Sequence, residues 1–303
     1  MRCPPALLIA ALSAVDLHAH AGQTIEIHDL WLGWSFEPGV TVPLVITACL
    51  YLRGARPARG VTRRQSVCFW AGWGSLAAAL ISPLHTLGEA LFSAHMAQHE
   101  VLMLVAAPLL VLSRPLVPML WGLPLQWRRT AGQSAKTPLA QRFWRGLTCP
   151  FTAWWIHAVA LWIWHAPVLF QATLSSELVH ALQHASFLFS ALLFWWSLFY
   201  ARGRAAYGLG VLYIFTTAVH TSILGALLTF ARTVWYPAYG SRAVVWGLTP
   251  LEDQQVGGLL MWVPAGVVYL VAGLALFGAW LQGSGLATDR RSFADSSLHA
   301  SIR

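Results

Sequence analysis

Two segments of this chain repeat one residue type at one spacing: His95 and His99 in HMAQH, and His180 and His184 in HALQH. An i, i+4 pair places both imidazoles on the same face of a helix, one turn apart. A fifth histidine, His165, stands in WIWHAP just before Pro167. Neutral imidazole suits copper, zinc, iron and nickel alike, so the chemistry this pattern predicts is the holding of a transition metal. A single histidine near a membrane interface is more often a hydrogen-bonding partner, and His28, His85 and His299 are read that way. His157 and His220 are expected deeper, bonded to a neighbouring helix.

The elements that must position these residues are membrane helices. Apolar residues make up 57% of the 303, charged residues only 10%, and there are 17 Trp. A soluble domain normally carries about 25% charged residues. The apolar stretches predict an all-α membrane protein with seven transmembrane helices, at about 38–54, 66–82, 92–112, 150–169, 179–200, 208–230 and 255–281. The first is the shortest and contains Pro43.

Charge sets the expected orientation. Arg53 to Arg64, Arg114 to Arg145, Arg202 with Arg204, and Arg290 onward follow alternate spans. Those connections are expected to be cytoplasmic. The remaining connections carry only Arg232 and Arg242, together with Glu37, Glu89, Glu177, Glu252 and Asp253. The mature N-terminus is therefore expected outside and the C-terminus in the cytoplasm. The net charge of +8 follows from this asymmetry. It attracts anionic membrane lipids and gives no reason to invoke nucleic acid.

Residues 1–21 read as a signal peptide: Arg2, a short apolar run from Pro4 to Val15, and an A-x-A site at Ala19-His20-Ala21. Residues 22–282 then form the seven-helix domain, and 283–303 a cytoplasmic tail expected to be disordered. Cys3 falls in the signal, Cys49 and Cys68 in spans, and Cys149 on the cytoplasmic side. No periplasmic disulfide is expected, and no CxxC is present.

This topology brings His95, His99, His165, His180 and His184 to one depth near the outer face. Met96 and Met103 would add thioethers favouring Cu(I) if they faced the site, and are equally well read as packing residues. Glu252 and Asp253 could orient a ligand or coordinate Zn²⁺; otherwise they supply favourable charge at a helix N-terminus. Glu100 is out of place in an apolar span and is expected to pair with His157 or His220. Gly225, Gly257 and Gly258 should permit close helix approach. Two enzyme or redox alternatives stay open: an intramembrane zinc hydrolase with Glu252 or Asp253 as base, and a haem protein with His95 and His180 as axial ligands.

The segment SPLHTLGEALFSAHMAQHEVLMLVAAPLLVLSRPL resembles the signature of the multi-span CtaG family, assembly factors for caa-type cytochrome c oxidase. WIWHAPVLFQATL, HALQHASFLFSALLFWW, LGALLTF, WYPAY and WGLTPLEDQQVGGLLMWVPAG match it in the same order, over about residues 30–282. The resemblance implies a multi-pass protein of the bacterial inner membrane that helps mature a haem–copper oxidase and is not itself an enzyme. Its implied partners are oxidase subunits or other assembly factors. Copper is the metal it suggests, with zinc the alternative. By position, the family's histidines correspond to His95, His99, His165, His180 and His184; their role as copper ligands is inferred from spacing and topology.

Overall fold

The computed structural model describes residues 33–200 and 204–300, so the expected signal at 1–21 lies outside the described residues. Among the described residues every regular element is helical. The helices are α1 (Pro38–Gly54), α2 (Arg63–Ile81), α3 (Pro83–Ala90), α4 (Phe92–Ser113), α5 (Leu116–Gly122) and α6 (Leu125–Ala135). There follow α7 (Pro138–Leu147), α8 (Pro150–His165), α9 (Pro167–Ser175), α10 (Glu177–Phe199), α11 (Arg204–Thr229) and α12 (Pro250–Ala300).

Local sequence explains half of the starts. Proline stands in the first turn of α1, α3, α7, α8 and α9, where its missing N–H would have no partner in the helix anyway. Thr62 and Gln65 cap α2 reciprocally: Gln65 N donates to Thr62 Oγ1 at 3.2 Å and Thr62 N to Gln65 Oε1 at 2.9 Å. Pro83 and Pro167 also explain two breaks, because each forces the preceding residue out of the helical region.

Four helices are long and apolar enough to cross a membrane: Phe92–Ser113, Glu177–Phe199, Tyr207–Thr229 and Pro250–Gln282. The pair α2 and α3 is bent by 44° and the pair α7 and α8 by 60°, and counting each pair as one span raises the number to six. α1 has 17 residues with Pro43 inside, short of a full crossing. The seven expected segments are thus all helical, and four to six of the helical units are long and apolar enough to cross a membrane. The expected span at 150–169 ends at His165, where Ala166 turns into α9.

α4 is not uniform. Val101–Ala106 is a π-helical segment, in which Ala107 N donates to Leu102 O, five residues back. In that register Met103 O would be met by residue 108, which is a proline with no N–H. The Trp195 indole Nε1 donates to Met103 O instead, at 2.8 Å. Buried backbone carbonyls need a partner, and here α10 supplies it, pinning the two histidine-bearing helices together just below the histidines.

The other close contacts rest on glycine. A Cβ on Gly258 would lie 2.6 Å from Thr229 N and 2.9 Å from Gly225 O, so α11 and α12 approach backbone to backbone. A Cβ on Gly257 would run into the Phe92 ring at the start of α4. The close approach expected at Gly225, Gly257 and Gly258 is present. The core beneath contains Leu161, Phe187, Phe194, Trp195, Tyr213 and Tyr269.

Candidate metal centre

α4 and α10 bring their histidine faces together at matching depth. Ring centroids are 4.4 Å apart for His95 and His99, and 4.3 Å for His180 and His184. Across the helix pair, His95 is 5.1 Å from His180, and His99 is 5.2 Å from His184. His165, at the end of α8, is buried 6.3 Å from His99. The donor atoms of His95, His99 and His184 all lie within 4.8 Å of one another. His165 belongs to no such group among the described residues; it is a neighbour of His99, buried at 3% exposure.

A sixth histidine joins them. His85, on α3, stacks on His180 at 5.3 Å and lies 6.3 Å from His184. The donor atoms of His85, His180 and His184 form a second group within 4.8 Å. Sequence reasoning gave His85 only the part of a hydrogen-bonding partner. It does fill that part, since Gln98 Nε2 contacts its Nδ1 at 3.0 Å while also donating to Ala79 O at 2.7 Å. The signal that would have raised it was local: Ser82-Pro83 starts a helix, and Glu89 stands four residues after His85 on the same face.

The hydrogen bonds leave nitrogens free. His95 Nε2 lies 3.2 Å from Gln183 Oε1. That oxygen can only accept, so Nε2 carries the proton and Nδ1 keeps its lone pair. His165 Nδ1 donates to Leu161 O at 2.6 Å, which leaves Nε2 as its lone-pair nitrogen. Orientation of one ring nitrogen by a carbonyl is the pattern seen behind metal-ligating histidines. His95 Nδ1, both nitrogens of His99, and Nε2 of His165, His180 and His184 are buried without a hydrogen-bond partner. Buried polar atoms are rarely left so, and a cation would satisfy several at once. On donor type and geometry, the residues fit a transition metal.

The neighbouring groups are committed elsewhere. Asp253 is 1% exposed, and its oxygens accept from Phe92 N at 2.7 Å, Ser93 N at 3.1 Å and Ser93 Oγ at 2.5 Å. It caps the N-terminus of α4. Glu252 Oε2 accepts from Thr249 N and Oγ1, both at 2.8 Å, and so caps its own helix. Met96 packs among Phe92, Phe170 and Met261, and Met103 among Leu161, Phe187 and Trp195. Both thioethers take the packing role. The stacked rings of His95 and His180 leave no slot for a macrocycle between them.

Deeper in the bundle, His157 Nδ1 meets Ser190 Oγ at 3.0 Å, the expected bond to a neighbouring helix. His220 contacts the Trp154 ring edge at 5.4 Å and neither of its nitrogens is bonded. The expected pairing of Glu100 with either histidine is not formed, and its Oε2 has no hydrogen-bond partner. At the mouth of the cluster, Glu37 Oε1 is 3.5 Å from His85 Nε2. The hydrogen bond with His85 holds the Glu37 carboxyl below its usual range.

Comparison with known proteins matches residues 49–283 to the family model described as cytochrome c oxidase caa3 assembly factor. The chain is 26% identical over 278 residues to an uncharacterized protein of Mycobacterium bovis, and equally to one of Mycobacterium tuberculosis, covering 88% of this chain and 41% of each relative. An uncharacterized protein of Mycobacterium leprae is 23% identical over 291 residues, covering 88% of this chain and 43% of its own length. The chain thus spans about two fifths of the curated relatives it matches. No solved structure matches.

Proposed function

This chain belongs to the cytochrome c oxidase caa3 assembly factor family, and from that premise we propose that it handles copper for a haem–copper oxidase at an outer-leaflet histidine cluster. The observation that carries the reading is the set of buried, unpartnered imidazole nitrogens on facing helices. His95, His99 and His184 would hold the ion, with His165 beside them and His180 on the outer side. The ion supplies no chemistry for this chain; it is cargo, and copper is chosen over zinc because the client is a copper enzyme. Neutral imidazole is also cheaper to bury than a charged ligand. Asp253 and Glu252 are both engaged as helix caps, which favours a non-enzymatic role over a zinc hydrolase. Oxidase subunits or other assembly factors are the partners.

The test is genetic. Deleting the gene should leave the oxidase polypeptides in the membrane but lower their copper content and activity. Wild-type protein should restore both, and a His99→Ala, His184→Ala variant should restore neither. Normal oxidase copper in the deletion strain would sink the reading.

The orientation belongs to the same proposal: seven membrane-embedded helical segments in the bacterial inner membrane, N-terminus outside, C-terminus cytoplasmic, after a signal peptide. Two ends of unlike character support it. At one end Arg59 and Arg128 cover the Trp121 ring at 5.0 and 4.3 Å, and Arg114 donates to Tyr200. The other end gathers Glu37, Glu89 and the histidines. Reporter fusions after Arg64 and Arg145 should score cytoplasmic, and one after Ser175 periplasmic. A periplasmic score at Arg145 would invert the assignment.

A further inference from the structure

We propose that the outer end of the cluster is a second copper site, built from His85, His180 and His184, and that it loads the buried triad through the ligand the two share. The inference rests on the copper-handling reading above and adds a route to it. Both triads have donor atoms within 4.8 Å, and His184 is a member of each. His85 is 4% exposed and His184 7%. His184 Nε2 has no hydrogen bond, whereas Gln98 Nε2 donates to His85 Nδ1 and leaves the Nε2 proton facing Glu37. His85 therefore ligates once Gln98 turns its unpartnered Oε1 to that ring and the proton moves to Nδ1.

The two sites differ in surroundings. Glu37 Oε1 and Glu89 Oε1 lie 3.5 and 4.0 Å from His85 Nε2, with side chains 34% and 50% exposed. His180 is half-buried. His95 and His99, by contrast, are 0% and 1% exposed; His95 meets only the neutral Gln183, and His99 has no hydrogen-bond partner. A cation coming from water must lose its hydration in steps, since stripping a bare charge in one move is prohibitive. Carboxylates at the mouth offset the charge while His180 and His85 replace the first waters. His184 then keeps its bond while His95 and His99 displace His85 and His180. Only coordinate bonds exchange, so the oxidation state is unchanged and no co-reactant is needed. Because His184 cannot complete both triads together, each chain carries one ion at a time.

The experiment uses the full chain in lipid nanodiscs, with Cu(I) presented on a competing chelator. His85→Ala with His180→Ala should slow uptake at least about tenfold yet still fill the inner triad at equilibrium. His95→Ala with His99→Ala should take up copper quickly, hold it weakly and leave it open to a membrane-impermeant chelator. Glu37→Gln with Glu89→Gln leaves every histidine in place and should slow uptake about threefold, which keeps the test valid if a histidine variant fails to fold. Uptake at the wild-type rate in both outer variants overturns the relay alone. Equal loss of equilibrium binding in the outer and inner histidine variants also overturns it, in favour of one merged site. No copper binding by the wild-type chain overturns the copper reading itself.

Discussion

Replacing His99 and His184 together with alanine lowers copper affinity at least about 100-fold, because removing a group that merely orients a ligand already costs roughly 10–100-fold. These two residues are chosen because both lie in the buried triad, on different helices, with ring centroids 5.2 Å apart. His99 has neither nitrogen bonded to the protein, so its loss breaks no internal hydrogen bond that would blur the result. Changing His299, which lies in the sequence beyond the seven expected spans, should leave affinity within about twofold. The measurement is competition against a chelator of known affinity, with helicity recorded alongside. Equal affinity in the double variant and the wild type would return the cluster to a packing role.

The histidine pairs were legible because helical periodicity is a local property. An i, i+4 spacing fixes the face of a helix, and the position of a span fixes depth. Both survive in the structure, where His95 meets His180 and His99 meets His184. What the sequence could not supply was the fate of short segments. His85 sits on α3, an eight-residue helix that bends back by 44° after α2 and carries its ring over His180. A connection long enough to be a helix but too short to be a span gives no depth. The π-helical segment was likewise hidden, although Pro108 removes the N–H that Trp195 replaces. Its cause lies half in α4 and half in α10. Apolar composition likewise does not register that Pro167 interrupts the expected span at 150–169.

Asp253 shows the same limit, and it yields the largest expected effect on stability. Acidic residues early in a helix are normally read as balancing that helix's own dipole. Asp253 instead crosses to α4 and accepts three hydrogen bonds there, from residues 160 and 161 positions away in the chain. One turn further along α12, Gly257 admits the Phe92 ring, and Met261 continues the same contact one turn beyond. The carboxylate therefore fixes the end of α4 from which His95 projects. Asp253→Ala leaves two buried N–H groups and a hydroxyl without their acceptor. Hydrogen bonds to a charged group contribute about 1.5–3 kcal/mol each, and partial rescue by water brings the expected net loss to about 3 kcal/mol. Asp253→Asn keeps the shape and one acceptor oxygen, so about half of that loss is expected. Denaturant titration in detergent micelles reads the stability, and chelator competition at low denaturant reads copper affinity. Anchoring predicts that both fall together, more in Ala than in Asn. If Asp253 were instead the base of a zinc hydrolase, both variants would abolish turnover while the folded chain lost no stability. An unchanged unfolding midpoint in Asp253→Ala would therefore remove the carboxylate from the positioning of His95.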